Sequence, residues 1–208
     1  LLNKHGIMFW ADEVITGFGR TGKDFGCTTM GIDAPDMMTF AKQLSSAYMP
    51  ISASAIRRDM YEAMIDQSAA AGAFGHGYTY SGHPVACAVA LKTLEIYQRD
   101  KIFEKAAVSG AYLQKRLAEF ADHPLVGEVR GSGLIGALEL VANKETGEPF
   151  VGGAVGGYAQ KMAQDNGLLI RTVAGSCLGF CPPLIITNEQ IDELLADWNI
   201  EIPEEENV

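Results

Sequence analysis

An acidic residue and a lysine each follow a short apolar run near the start of the chain. The first run, residues 7–11, ends at Asp12, and the second, residues 37–41, ends at Lys42. Wholly apolar runs of this length are typical of strands that are buried on both faces of a parallel sheet. If the two strands are neighbours, Asp12 and Lys42 emerge on one edge of the sheet, about 5 Å apart in strand spacing. Open α/β sheets bind their ligands at that edge.

A carboxylate and an amine in this arrangement suit a flat heteroaromatic aldehyde that lies across the strand ends. The Lys42 amine would form a Schiff base with the aldehyde carbon, and Asp12 would keep the ring nitrogen protonated so that the ring accepts carbanion electrons. Pyridoxal 5'-phosphate has this chemistry. From these two residues alone, the alternative stays open that Asp12 caps a turn and that Lys42 is a solvated charge.

Three segments resemble, in family order, the motifs of the class III (omega-amino acid) aminotransferases, which are pyridoxal-phosphate enzymes of fold type I. Residues 12–22 (DEVITGFGRTG) are similar to the family's DEVxTGFGRTG signature. Residues 35–36 followed by residues 40–42 fit its lysine motif, and residues 76–84 (HGYTYSGHP) are similar to its HGxTYSGHP segment.

The resemblance implies a role for each matched residue. Lys42 would be the Schiff-base lysine, and Asp12 the partner of the pyridine nitrogen. Val14 would pack on a face of the cofactor, and Thr79 would bind the cofactor phosphate. In the family, this threonine binds the phosphate of the cofactor in the neighbouring subunit. Gln43 stands where the family commonly has glycine.

The glycines of the first motif, Gly17, Gly19 and Gly22, also satisfy the dinucleotide-binding pattern G-x-G-x-x-G directly after a predicted strand. That pattern must open a helix whose N-terminus holds a pyrophosphate. Residues 23–36 contain two glycines and a proline and show no helical apolar period, so no helix can be drawn there. The sequence therefore disfavours a dehydrogenase.

Composition and charge limit the partners that we expect. With 48% hydrophobic and 20% charged residues, the chain is typical of a globular protein that buries a core. Its formal charge of -10 would repel polyphosphates and anionic membranes, so neither nucleic acid nor a membrane is an expected partner. The cysteines are scattered without metal-ligand spacing, so we predict no metal site and expect reduced thiols in the cytoplasm.

The first residues read as the last turn of a helix that Gly6 caps. We therefore expect that the chain begins inside a domain and is the carboxyl-terminal half of the family's fold, without the amino-terminal part of the large domain. Residues 1–100 would belong to the large cofactor-binding domain, a mostly parallel sheet with helices. Residues 101–208 would form a small α+β carboxyl-terminal domain.

Local patterns predict the remaining elements of both domains. In the first half they are a strand over 51–56, a helix over 59–65, a mobile loop over 67–77 and a buried helix over 84–97. In the second half they are an amphipathic helix over 103–120, strands over 127–130, 134–141, 168–171 and 178–181, and a helix over 158–165. Thr187 and Gln190 form a capping box before a last helix that includes Trp198, and residues 201–208 are an acidic, frayed tail.

Arg171 closes the strand predicted over 168–171 and is similar to an arginine of the family's carboxyl-terminal motif. In amine-accepting members this arginine holds the carboxylate of the keto acid, since a guanidinium offers bidentate recognition. A structural salt bridge is the alternative for Arg171.

The predicted function is amino transfer from an amine or omega-amino acid to a 2-oxo acid such as pyruvate, in a full-length protein that is a homodimer. Two alternatives stay open. One is an aminomutase or decarboxylase that depends on pyridoxal phosphate and has the same fold. The other is a non-catalytic fragment that carries half an active site.

Overall fold

The computed structural model describes residues 1–32 and 34–196. The chain divides into two compact units, the first from Leu1 to Phe103 and the second from Glu104 onward. This division lies close to the boundary predicted near residue 100. The assignment of the units to a cofactor-binding domain and a small carboxyl-terminal domain stays a prediction.

The first unit contains a three-stranded sheet with the strand order β1-β2-β3. Its strands are β1 (Trp10–Asp12), β2 (Met37–Phe40) and β3 (Ala53–Ile56). β1 runs parallel to β2, as the sequence predicts, whereas β3 runs antiparallel to β2. This part of the sheet therefore combines one parallel pair with one antiparallel pair.

The first apolar run is not a buried strand over its whole length. β1 begins only at Trp10, and the side chains of Ile7, Met8 and Trp10 are 53%, 65% and 57% exposed. The prediction of a strand buried on both faces is therefore wrong for this run. β1 is the edge strand of this sheet, and among the described residues no other strand pairs with its outer side. Before β1, the backbone of Phe9 forms hydrogen bonds with Asp36, the residue that precedes β2.

The helices of the first unit differ from the prediction in two places. They are α1 (Gly26–Thr29), α2 (Arg58–Ala71) and α3 (Pro84–Arg99), with 3-10 helices at Leu2–His5 and Lys42–Leu44. The one-turn helix α1 falls where no helix was predicted. α2 runs through the first part of the predicted mobile loop, because the alanine-rich residues after Gln67 have high helix propensity.

α3 begins at Pro84, as predicted, and the Nδ1 atom of His83 accepts a hydrogen bond from the Val85 N–H at 3.3 Å. Only one face of α3 is buried, and on the other face Leu91 is 69% exposed. The prediction of a buried helix is therefore wrong for the outer face. The helix is rich in small alanines, so its sequence does not show which side faces solvent. The buried residues are Ala86, Ala90, Thr93 and Tyr97.

The second unit is an α+β arrangement, as predicted. Its strands form an antiparallel sheet in the order β4-β5-β7-β6. They are β4 (Val126–Ser132), β5 (Ile135–Leu140), β6 (Arg171–Val173) and β7 (Cys177–Phe180). The helices are α4 (Ile102–Ala118), which begins just before the unit, α5 (Ala154–Asp165) and α6 (Asn188–Ala196), with 3-10 helices at Glu119–Asp122 and Val151–Gly153. Fully buried leucines and an isoleucine form the core: Leu113, Leu117, Leu134, Leu138, Leu178 and Ile191.

Two details of the second unit bear on the predictions. Arg171 opens a strand instead of closing one, because the chain turns at Gly167 after α5 and β6 then pairs with β7. The predicted capping box is confirmed: the Thr187 N–H donates to Gln190 Oε1 at 3.0 Å, and the Gln190 N–H donates to Thr187 Oγ1 at 3.3 Å. Trp198 and the tail over 201–208 lie outside the described residues.

Candidate active site

Asp12 and Lys42 lie at the same edge of the three-stranded sheet. Asp12 is the last residue of β1, and its register partner on β2 is Thr39. Lys42 comes two positions after Phe40, the last residue of β2. Because β1 and β2 are parallel, their carboxyl ends meet at this edge, and both Asp12 and Lys42 are exposed there.

The Asp12 carboxylate is held by the backbone that follows it. Its Oδ1 atom accepts a hydrogen bond from the Val14 N–H at 3.0 Å, a local turn that orients the carboxylate relative to β1. Oδ2 has no donor among the described residues. The chain thereby fixes one oxygen of Asp12 and leaves the other available to a protonated ring nitrogen. Val14 itself is half-buried directly after the strand.

Glu13, for which the sequence predicts no role, organises the loop after Asp12. Its side chain is 2% exposed, and it points away from the exposed Asp12, as expected for consecutive residues of an extended chain. The carboxylate accepts hydrogen bonds from Thr16 Oγ1 at 2.5 Å, from the Gly26 N–H at 2.8 Å and from the Cys27 N–H at 2.7 Å. The spacing of Glu13 and Thr16 could have indicated the first bond, but no local pattern indicates the other two.

The bonds to Gly26 and Cys27 explain why α1 forms. These two N–H groups begin the helix, and Glu13 caps them from a distant position in the sequence. A side chain at Gly26 would come 2.8 Å from Thr16 Cβ, so this position accommodates only glycine. α1 is thus a product of a tertiary contact, which is why the helical period does not predict it.

The same network shifts two pKa values. Burial alone would raise the pKa of Glu13, but the hydrogen bonds from Thr16, Cys27 and Gly26 outweigh burial and hold its pKa below the ordinary value. Burial, together with the hydrogen bond to Glu13 and the charge of Glu13, raises the pKa of the Cys27 thiol to about 11. Glu13 is therefore a carboxylate at neutral pH, and Cys27 is a neutral thiol.

Residues 17–22 form a tight loop rather than the start of a long helix. The Phe18 N–H donates to the Asp24 carbonyl at 2.7 Å, and the Gly19 N–H donates to the Lys23 carbonyl at 3.2 Å. α1 begins only after this loop and contains a single turn. The arrangement that a dinucleotide needs, with a helix opening inside the glycine motif, is not formed by these residues.

An aromatic cluster anchors the loop to the sheet. The ring centroid of Phe18 lies 5.6 Å from that of Phe25 and 5.7 Å from that of Phe40, and the rings of Phe25 and Phe40 are 5.5 Å apart. Phe40 is the last residue of β2. The loop that follows Asp12 is therefore packed against the strand that leads to Lys42.

Lys42 presents an amine with no partner among the described residues, since no ion pair or hydrogen bond there involves its ammonium group. Its backbone begins the 3-10 helix Lys42–Leu44 at a φ of 42°. The residue is thus an exposed amine on a tight turn at the end of β2.

Thr79 lies in an exposed turn of the first unit. The Ser81 N–H donates to the Tyr78 carbonyl at 3.0 Å, and Ser81 Oγ accepts from the Tyr78 N–H at 3.2 Å. In the described part of the chain, no hydrogen bond or ring contact joins Thr79 to Asp12 or Lys42. The role of Thr79 as a phosphate ligand stays a prediction.

Arg171 belongs to the second unit and is exposed. It is the first residue of β6, opposite Gly179 of β7. Among the described residues it forms no ion pair, so no salt bridge holds it within its own unit. An exposed guanidinium that has no ion pair among the described residues can bind a carboxylate ligand.

The residues present fit the part of pyridoxal 5'-phosphate that they are predicted to hold. Lys42 offers an amine for the aldehyde, and Asp12 offers an oxygen for the ring nitrogen, both at one edge of the sheet. Thr79 offers an exposed hydroxyl for the phosphate.

The described residues contain no group of three or more His, Cys, Asp or Glu side chains that could hold a metal ion. None of the described helices has both the length and the apolar character that crossing a bilayer requires.

Comparison with known proteins adds a second line of evidence. A family model described as aminotransferase class-III matches residues 1–199. The putrescine–pyruvate aminotransferase of Pseudomonas aeruginosa is 49% identical over 197 residues, covering 94% of this chain and 42% of that protein. The chloroplastic gamma aminobutyrate transaminase 3 of Solanum lycopersicum is 42% identical over 208 residues, covering 100% of this chain and 40% of that protein. The chain thus spans about two fifths of the length of the curated relatives it matches.

A solved structure of similar fold is the omega transaminase from Pseudomonas jessenii in complex with PMP. It matches with a TM-score of 0.89 and 47% identity, covering 94% of this chain and 44% of that chain. This likeness confirms the predicted fold class.

Proposed function

Because the chain belongs to the class III aminotransferase family, we propose that it carries the lysine and the aspartate of a pyridoxal 5'-phosphate-dependent active site. The proposed reaction moves an amino group from an amine or omega-amino acid to a 2-oxo acid such as pyruvate. The observation that supports it most directly is the position of Asp12 and Lys42 at the ends of two neighbouring parallel strands.

Each residue has a defined task in this proposal. Lys42 would hold the cofactor through its Nζ amine, and the same amine would act as the acid and base that moves a proton at the substrate carbon. Asp12 would hold a proton on the ring nitrogen through the oxygen that Val14 does not occupy. When bound, the cofactor supplies the electron sink that the reaction needs.

The names of the relatives support amines and omega-amino acids as donors. One relative is a putrescine–pyruvate aminotransferase, and another is a gamma aminobutyrate transaminase. The pyruvate in the name of the first relative, like the acceptor proposed for this chain, has a carboxylate beside its carbonyl. Arg171 is the proposed ligand of that carboxylate, and its lack of an ion pair among the described residues supports this role.

We further propose that the active protein is a cytoplasmic homodimer in which Thr79 binds the phosphate of the cofactor in the neighbouring subunit. The exposure of the turn that carries Thr79 supports such a role. The charge of -10 supports small-molecule substrates over nucleic acid or membrane partners.

Two alternatives use the same residues. An aminomutase or decarboxylase would need the same Asp12 and Lys42 chemistry. A non-catalytic half-site is the other alternative, because the chain spans only about two fifths of its relatives.

Product analysis separates these functions. The chain is co-expressed with the portion of the Pseudomonas aeruginosa relative that it does not span, and the purified complex is incubated with pyridoxal 5'-phosphate, putrescine and pyruvate. We expect alanine to form, and we expect none from the Lys42→Ala complex. An isomerised amine without alanine would indicate an aminomutase, and loss of carbon dioxide in a parallel incubation with an amino acid as the only substrate would indicate a decarboxylase. No product in either incubation would indicate a non-catalytic half-site.

A further inference from the structure

The turn that carries Lys42 has an unfavourable backbone conformation. Lys42, Ser46 and Ala47 have φ values of 42°, 50° and 63°, in the left-handed region that residues with a Cβ atom rarely adopt. The hydrogen bonds within the turn are long, for example 3.4 Å from the Ala47 N–H to the Lys42 carbonyl. Such a conformation persists when the surrounding structure restrains it.

The restraint comes from a buried tyrosine on α3. Tyr97 is 8% exposed, and its hydroxyl lies 2.9 Å from the backbone oxygen of Gln43 and 3.3 Å from the Gln43 side-chain oxygen Oε1. The two residues are 54 positions apart in the sequence. A single hydroxyl thus bonds to the residue that directly follows Lys42.

The Tyr97 ring is also linked to the loop after Asp12. Its centroid lies 5.4 Å from that of Phe103, and the Phe103 ring occupies the space that a Cβ atom of Gly19 would need, at 2.4 Å. Gly19 belongs to the loop that follows Asp12. Tyr97 therefore contacts the turn that follows β2, and Phe103 contacts the loop that follows β1.

We propose that Tyr97 is a positioning residue for Lys42, which holds the turn over residues 42–47 in place through Gln43. The proposal rests on the proposed function in that it takes Lys42 as the cofactor lysine. The side-chain oxygen of Gln43 supplies the second acceptor for the hydroxyl.

The restraint itself is testable without any cofactor. Tyr97→Phe keeps the ring packed on Phe103 but removes the hydroxyl, so the fold is retained. We expect amide hydrogen exchange of residues 44–47 to become about three- to tenfold faster, as the loss of one buried hydrogen bond predicts. The matched control is Tyr112→Phe, which removes a hydroxyl bonded to Asp192 at 2.7 Å in the second unit and should leave this exchange unchanged.

The effect on Lys42 is measured by fixing pyridoxal 5'-phosphate with borohydride in the complex with the relative's portion and mapping the labelled peptides. In Tyr97→Phe, the fraction of the Lys42 peptide that carries label should fall about three- to tenfold at limiting cofactor. Gln43→Ala removes only the side-chain acceptor and should produce a smaller fall. Unchanged exchange of residues 44–47 in Tyr97→Phe would overturn the inference, as would an unchanged labelled fraction of the Lys42 peptide. Wild-type label on a lysine other than Lys42 would instead overturn the proposed function.

Discussion

Glu13 holds the loop beside Asp12 through its side chain. Its buried carboxylate accepts three hydrogen bonds, two of them from the backbone that begins α1. In Glu13→Gln, one oxygen becomes an amide N–H₂ that faces backbone donors, so we expect the free energy of unfolding to fall by about 1–3 kcal/mol. Denaturant unfolding at pH 7 measures this loss. Asp12→Asn is the control, because Asp12 is exposed and should change stability by less than about 0.5 kcal/mol.

The pH dependence of that loss gives a stricter test. The pKa of Glu13 in the folded chain lies below its ordinary value of 4.5. A carboxyl group of this kind contributes stability above its unfolded pKa and loses that contribution as the pH falls through its folded pKa. The difference in the free energy of unfolding between wild type and Glu13→Gln should therefore be constant near neutral pH and should become smaller as the pH falls below 4.5. A constant difference down to the acid limit of folding would contradict the role of the charged form.

Arg171 carries the prediction about the acceptor. Arg171→Ala should lower kcat/KM for pyruvate by about 10- to 100-fold, the effect of losing a charged hydrogen-bonded pair, and should spare the half-reaction with putrescine, which has no carboxylate. Arg130→Ala is the control, since Arg130 is an exposed arginine of the same sheet that already pairs with Glu128 and Glu139. Equal losses for pyruvate and putrescine would mean that Arg171 has a structural role.

At the scale of elements, the glycine loop should be intolerant of a side chain at Gly19. The φ of Gly19 is 95°, and an added Cβ would lie 2.4 Å from the Phe103 ring. Gly19→Ala should destabilise the chain by about 2–4 kcal/mol, from backbone strain and overpacking together. Gly72→Ala isolates the strain, because Gly72 also has a left-handed φ of 79° but nothing within 4 Å. Thermal and denaturant unfolding measure both variants. Equal losses of stability in Gly19→Ala and Gly72→Ala would mean that the contact with Phe103 does not contribute to the effect at Gly19.

The elements that the sequence predicts well are those that local patterns determine. The start of α3 at Pro84 and the capping box of Thr187 with Gln190 each follow from neighbouring residues. The elements that it misses depend on distant contacts. α1 needs the carboxylate of Glu13, and the Lys42 turn is held by Tyr97, 54 positions from Gln43.

The candidate site shows the same limit. The motifs predict Asp12 and Lys42, and the structure places both at one sheet edge. They do not predict that Asp12 keeps one oxygen open while Val14 holds the other, since this depends on the turn after β1. Nor does any spacing show that Arg171 opens β6, because the strand is defined by its pairing with β7.

For the whole molecule, the central question is how much of an active site this chain carries. It spans about two fifths of the length of its relatives, yet Asp12, Lys42, Thr79 and Arg171 are all present. We therefore expect the chain to supply the groups that bond to the cofactor and to the keto acid, and expect activity to depend on the portion that it does not span.

The most direct test of this account is to locate the lysine that holds the cofactor. The chain is co-expressed with the portion of the Pseudomonas aeruginosa relative that it does not span, incubated with pyridoxal 5'-phosphate, reduced with borohydride and mapped by peptide mass spectrometry. We predict that the label lies on Lys42 and disappears in Lys42→Ala without a change in the melting temperature of the cofactor-free protein, because the Lys42 side chain is exposed and has no partner among the residues that the structure describes. Lys23→Ala is the control and should keep the label. Label on Lys23, or on any lysine other than Lys42, would contradict the account.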